Sequence, residues 1–550
     1  MPLRRSAVVL DRSNSRMPGI VEKSPTQVRT KHAAVEDDRT PAAAMHVSNG
    51  ARTALSASIR PVAQEKRGQG CPRSVYAFAL FALFFCIAPP ATFAASKPIL
   101  VHYMPWFVAK PYNSSWGWHW TMNHYNPDTI DGSGHRQIAS HYYPLIGPYD
   151  SADPAVLEYH VLLMKLAGLD GVIVDWYGQT SCLDYGTLNQ NTGKLFTYTK
   201  KAGLKFSICY EDQSIQHMID NGCIASSAAT SQAQLTMLYL QSNYWADPSY
   251  FQWSNKPVLL NFGPQYFKMN SQWQTIFSVL YATNQPAFFT EDNKYAVGSG
   301  AFPWPPMWMT GGGTNVLTTN QLESYLSTFY SNGNGWPASV GGGWPRFNDI
   351  YAQAGVGTSN GYLDDRNGDT LRETTTRAMT NNCAFIQMVT WNDFGEGTII
   401  EPTVDYGYRD LGLLQDFRRQ YMQTNFTYTT NDLALAFRFY NLRRQWGNYP
   451  TQSAELDRTF TNIVAGKLDS ATRQIWGMEN SHAVMYGFSS SSNQMQFFIG
   501  GFLLSGAQVQ MATNLAAPVW QTVRTYPASA NPIVFSTNFV STPASFFRVQ

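Results

Sequence analysis

The sequence predicts an α/β protein: a (β/α)8 barrel of the TIM type, then a helical connector, then a small all-β module. Three observations carry that reading. From Lys97 onward short β-rich runs alternate with stretches of helical period, as in a barrel. After Pro402 the alternation gives way first to helices and then, from Gly477, to closely spaced strands. The 16 Trp, 30 Tyr and 32 Phe together outnumber the 39 Lys/Arg and 37 Asp/Glu, which excludes a disordered chain, a coiled coil and a nucleic-acid binder that relies on neutralising phosphates.

Residues 1–95 read as a leader rather than as fold. They carry 13 Lys/Arg against 6 Asp/Glu, whereas the remainder carries 26 against 31, so the basic pI belongs to this segment. Arg67 and Arg73 precede an apolar run, Val75–Ala88, which Pro89-Pro90 break before the small residues that end in Ala95. A basic flank, a short apolar core and a small-residue site form the pattern of a secretory signal. The core is shorter than the ~20 residues that span a bilayer, and a type II membrane anchor is the alternative. Export would place Cys182, Cys209, Cys223 and Cys383 in an oxidising compartment. Cys182 and Cys223 follow successive predicted strands and are the favoured disulfide, with Cys209 a buried thiol inside a strand.

The barrel is expected over 97–409. Its candidate strands are Ile99–Trp106, Tyr142–Ile146, Gly171–Trp176, Phe206–Tyr210, Pro257–Asn261, Ala287–Thr290, Ala338–Val340 and Ala384–Thr390. Between them, Asp153–Gly168 places Val156, Tyr159, Leu163 and Leu166 on one helical face and ends at glycine. Leu188–Gly203 and Gln232–Trp245 share that pattern. The connector is expected over 410–475. The accessory module, expected over 476–550, has β runs separated by Ser, Asn and Pro turns, as in a small sandwich.

Polar groups at strand C-termini are the functional candidates in such a barrel. Here they are Tyr103 and Trp106 at the end of the first strand, Asp175, Trp176 and Tyr177 at the end of Gly171–Trp176, Tyr210, Glu211 and Asp212 at the end of Phe206–Tyr210, and Trp391, Asn392, Asp393 and Glu396 at the end of the last. Aromatic faces stack on sugar rings, carboxylates and amides bind hydroxyls, and glycoside cleavage uses a pair of carboxyl groups. Asp393 and Glu396 stand three apart with Gly395 and Gly397 beside them, so the backbone can turn both acids toward one space. Asp365–Asp369 begins like a calcium loop but has glycine at the wrong position. No metal or cofactor is expected, and the partner is an oligo- or polysaccharide.

Four stretches, His102–Trp106, Tyr143–Ser151, Met164–Gly178 and Trp391–Pro402, resemble glycoside hydrolase family 99 in order over roughly residues 97–405. The resemblance implies an endo-acting α-mannosidase on a (β/α)8 barrel. At the matching positions Glu396 would be the general acid/base, and Asp393 would take the place of the carboxylate that deprotonates the sugar 2-hydroxyl. Tyr103, Trp176 and Tyr177 would line the pocket. The pattern departs at Asp393, where family 99 mannosidases carry Glu. In that respect Trp391–Glu396 is similar to family 71, the inverting α-1,3-glucanases. A non-catalytic glycan-binding protein on a degenerate barrel is the alternative to an enzyme.

Overall fold

The computed structural model describes residues 97–491, 494–538 and 545–550. The leader read at 1–95 lies outside the described residues.

Eight parallel strands close on themselves. They are β1 (Ile99–Tyr103), β2 (Gly171–Trp176), β3 (Lys205–Tyr210), β4 (Lys256–Asn261), β5 (Ala287–Glu291), β6 (Gly300–Phe302), β7 (Ala338–Gly343) and β8 (Phe385–Met388). Each pairs with its neighbour in chain order, and β8 pairs back onto β1 with Ile99 opposite Ile386. The architecture is the (β/α)8 barrel that the alternating pattern predicts.

Two strand assignments change. The expected strand Tyr142–Ile146 is a bent segment. Its backbone pairs instead with the tail of the loop after β8, through the Leu145 amide to the Pro402 carbonyl (2.9 Å) and the Val404 amide to the Tyr143 carbonyl (2.9 Å). Pro144 has no N–H to give to a sheet interior. The strand that completes the barrel is β6, three residues long and too short to display a two-residue period. Gly300 is essential to it: a β-carbon there would lie 1.8 Å from the Ala338 carbonyl oxygen of β7.

Helix α1 (Pro154–Ala167) illustrates how local chemistry sets the elements. Asp153 caps it by accepting the Ala155 amide (2.9 Å), Pro154 occupies the first turn, and Gly168 ends it at φ +81°, each as such positions favour. Both faces are buried, because α1 packs on the barrel and is covered from outside by the helix Thr430–Trp446. Outside the barrel, α2 (Arg409–Tyr421), α3 (Thr430–Trp446), α4 (Pro450–Val464) and α5 (Leu468–Glu479) follow one another. Arg443 of α3 makes a two-pronged bond to Glu158 of α1 (2.8 and 3.1 Å), and Arg444 reaches Asp153 (2.6 Å).

From Ala483 the chain forms two three-stranded antiparallel sheets with their own apolar core of Phe497, Ile499, Val509 and Phe535. Glu455 of α4 is fully buried and accepts the Gly501 amide (2.8 Å) and the Gln474 amide nitrogen (2.8 Å), joining helices to sheets. Cys182 is bonded to Cys223, and Cys209 is a buried thiol within β3. Among the described residues no helix is long and apolar enough to cross a membrane.

Candidate active site

Because all eight strands run parallel, their C-terminal ends share one face, and the candidate residues divide there by side-chain direction. On β1 alternate residues point to opposite sides of the sheet. His102 turns inward, its Nε2 2.8 Å from Gln387 Oε1 on β8, with its ring edge-on to Trp304. Tyr103 therefore turns outward, and its hydroxyl lies 3.0 Å from His160 Nδ1 on α1.

Trp176 and Tyr210 share the outward direction. Trp176 donates to Asn189 Oδ1 (3.2 Å) and stacks near Tyr239, with the Tyr210 ring 6.1 Å away. Trp391 is fully buried with its ring 5.5 Å from His160. These four aromatics fill the layer between barrel and helices. Trp106 lies flat against His119, centroids 4.3 Å apart.

Two polar candidates are committed to holding loops. Asp212 accepts the amides of Gln265, Tyr266 and Phe267, each at 2.8 Å, and so fixes the turn after β4. Asn392 pairs with both backbone groups of Met104 (2.8 and 3.0 Å) and donates to the Tyr149 hydroxyl (3.0 Å).

The acids lie on the inner side. Asp175 is buried and accepts a long bond from the Tyr177 hydroxyl (3.4 Å), while the Tyr177 ring stacks on Tyr185. The Cys209 thiol is pushed up, first by burial and then by the carboxylates of Asp175, Glu211 and Glu291, so each of these acids lies within electrostatic reach of β3. Glu291 was missed because the expected strand stops at Thr290, one residue before it.

Asp393 and Glu396 form one tight turn. Asp393 Oδ1 accepts the Glu396 amide (3.0 Å), and the Asp393 carbonyl accepts the Gly397 amide (2.9 Å). Gly397 sits at φ +70°, and a β-carbon there would stand 2.7 Å from the Asn348 carbonyl oxygen. Both acidic residues are buried, at 1% and 8% exposure.

A chain of buried hydrogen bonds braces this loop from behind. Tyr149 donates to Glu401 Oε2 (2.7 Å), Glu401 Oε1 lies 3.2 Å from His160 Nε2, and His160 meets Tyr103. Burial first, and then the Glu401 carboxylate, raises the hydroxyl pKa of Tyr149 and of Tyr103 well above the usual value. Tyr149 and Glu401 lie inside two of the motifs quoted above, whereas nothing in the sequence marks His160. Among the described residues no cluster of three His, Cys, Asp or Glu could hold a metal ion.

No family model matches the chain. It is 23% identical over 325 residues to the glycoprotein endo-alpha-1,2-mannosidase of Mus musculus, covering 56% of this chain and 63% of that one. The similarity extends to an endo-alpha-1,2-mannosidase-like protein of Danio rerio, at 22% over 285 residues, 48% of this chain and 60% of the relative. The chain is similar in sequence to these endo-alpha-1,2-mannosidases over about half of its length. It spans less than two thirds of the length of these relatives. Among solved structures it matches the family 99 endo-alpha-mannosidase of Bacteroides thetaiotaomicron with 18% identity and a TM-score of 0.44, over 59% of this chain and 99% of that one.

Proposed function

We propose that the chain is a glycoside hydrolase that cleaves α-linked mannan- or glucan-type glycans internally, after export from the cell. The observation that carries the proposal is the Asp393–Gly397 turn, which holds two buried acids at the C-terminal end of a closed barrel. The endo-α-mannosidase relatives support the reaction class. The basic flank before the apolar run at 75–88 and the Cys182–Cys223 bond support export.

In this reading Glu396 protonates the leaving glycosidic oxygen, and Asp393 assists either the sugar 2-hydroxyl or an attacking water. Asp is shorter than Glu by one C–C bond, about 1.5 Å, a difference to which near-attack geometry is sensitive. The test is hydrolysis of α-mannan and α-1,3-glucan panels by the native chain and by Glu396→Gln. Loss of general acid catalysis is expected to lower kcat by ~10²–10⁴, and an unchanged rate overturns the assignment. Anomeric NMR of the first product separates retention from inversion.

The involvement of Asp393 Oδ1 in its own turn favours, as a second reading, a glycan-binding protein without turnover. It is distinguished by retention in affinity electrophoresis with no product from either panel.

A further inference from the structure

The turn that carries Glu396 is bonded on one side to a second feature. A small sheet of Gly313–Val316, Phe347–Asn348 and Asn360–Leu363 frames an open cavity of about 490 Å³. The Asn348 amide donates to the Glu396 carbonyl (2.8 Å), and the Ile350 amide donates to the Gly395 carbonyl (3.0 Å). The cavity wall and the acidic turn are therefore tied together by adjacent backbone bonds.

The lining includes Thr314, Asn348, Asp349, Gln353, Ser359 and Tyr362, and neither Lys nor Arg belongs to it. Hydroxyls, amides and one carboxylate beside an aromatic ring suit a neutral polyhydroxylated ligand, whereas a phosphate or sulfate would call for cations. The volume is within the range of small-ligand pockets, about 300–1,000 Å³. Asp349 is 2% exposed; its Oδ2 accepts the Asn360 amide (2.7 Å), and hydrogen bonds from the Ser359 side chain and the Tyr351 backbone further hold the carboxylate in the wall.

We propose that this cavity is a subsite for a neutral hexose unit of the glycan, away from the bond that is cut, with the uncharged polar side chains of its lining meeting sugar hydroxyls and the Tyr362 ring beside the sugar's apolar face. The subsite rests on the hydrolase reading only for the name of its ligand as substrate.

The experiment titrates α-manno-oligosaccharides of increasing length, from the disaccharide upward, into the full chain carrying Glu396→Gln. The same titrations are repeated with Asp349→Asn or Gln353→Ala added. Affinity is expected to rise with chain length, and each added substitution is expected to cut the ratio of longest to shortest affinity by about tenfold. Gln353 is exposed, so its variant retains the fold even where Asp349→Asn does not. A ratio unchanged by Gln353→Ala and by a folded Asp349→Asn, or no binding of any oligosaccharide, overturns the subsite. The same length effect with α-1,3-gluco-oligosaccharides upholds it with glucose as the hexose. Absence of turnover by the native chain on every glycan sinks the hydrolase reading alone, because the affinity ratios still decide the subsite.

Discussion

Asp393 has two functions that a single substitution can separate. Its Oδ1 accepts the Glu396 amide at 3.0 Å, a bond that an asparagine oxygen can also accept, while only the carboxylate brings charge. Asp393→Asn is therefore expected to leave the thermal midpoint close to native and to lower kcat by ~10² or more, read by differential scanning fluorimetry alongside a reducing-sugar assay. A parallel collapse of stability would mean that the residue acts only as a turn former. Behind the turn, Tyr149 bonds both Asn392 and Glu401. Tyr149→Phe removes a donor from a buried carboxylate and is expected to cost about 1–3 kcal/mol of stability, measured by chemical denaturation. Residue type and spacing made Asp393 and Glu396 legible as candidates before any coordinates. The outward turn of Tyr103, Trp176, Tyr210 and Trp391 was not legible, because an aromatic residue at the end of a strand faces the pocket or the helices depending on a one-residue phase that soft strand boundaries do not fix.

At the scale of elements, the loops after β2 and β3 carry Tyr177 and Glu211, and the Cys182–Cys223 bond spans a sequence separation of 41 residues that contains β3. In the chain-entropy account, closing a loop of that size restrains the unfolded chain by ~3–4 kcal/mol. The double substitution Cys182→Ser/Cys223→Ser is expected to lose about that much, with dithiothreitol treatment of the native chain giving the same shift. No shift in either arm would show that the bond adds nothing to stability. The pairing could be favoured from sequence because both cysteines fall after predicted strands. The barrel strand Gly300–Phe302 could not be read, since three residues with a glycine at the start carry no period, and its place in the count was taken by Tyr142–Ile146. The total of eight was reached with one wrong member, so the closed fold was correct while the segment opposite the tail of the β8 loop was misassigned.

For the whole molecule, the barrel interior imposes a pH limit of its own. Burial lowers the His102 pKa to about 4, only partly offset by its bond to Gln387, whereas an unfolded histidine titrates near ~6.5. Between those values the unfolded chain binds the extra proton and the folded chain refuses it, so stability rises with pH across the interval. This contribution is complete above the unfolded pKa, declines as pH falls through the interval, and levels off once both states are protonated, a loss of order 3 kcal/mol. His102→Gln keeps a polar group facing Gln387 but cannot take up a proton, so the thermal midpoint of that variant is expected to fall less steeply between pH 6.5 and 4 than that of the native chain. Parallel profiles for the two proteins would remove His102 as the cause. Because Gln387 Nε2 also donates to the Pro303 carbonyl (2.6 Å) just past β6, protonating this one imidazole would load β1, β6 and β8 together. The acid transition is accordingly expected to be cooperative, with tryptophan fluorescence and far-ultraviolet circular dichroism changing at the same pH, whereas separate midpoints would place the first acid-induced opening outside the barrel.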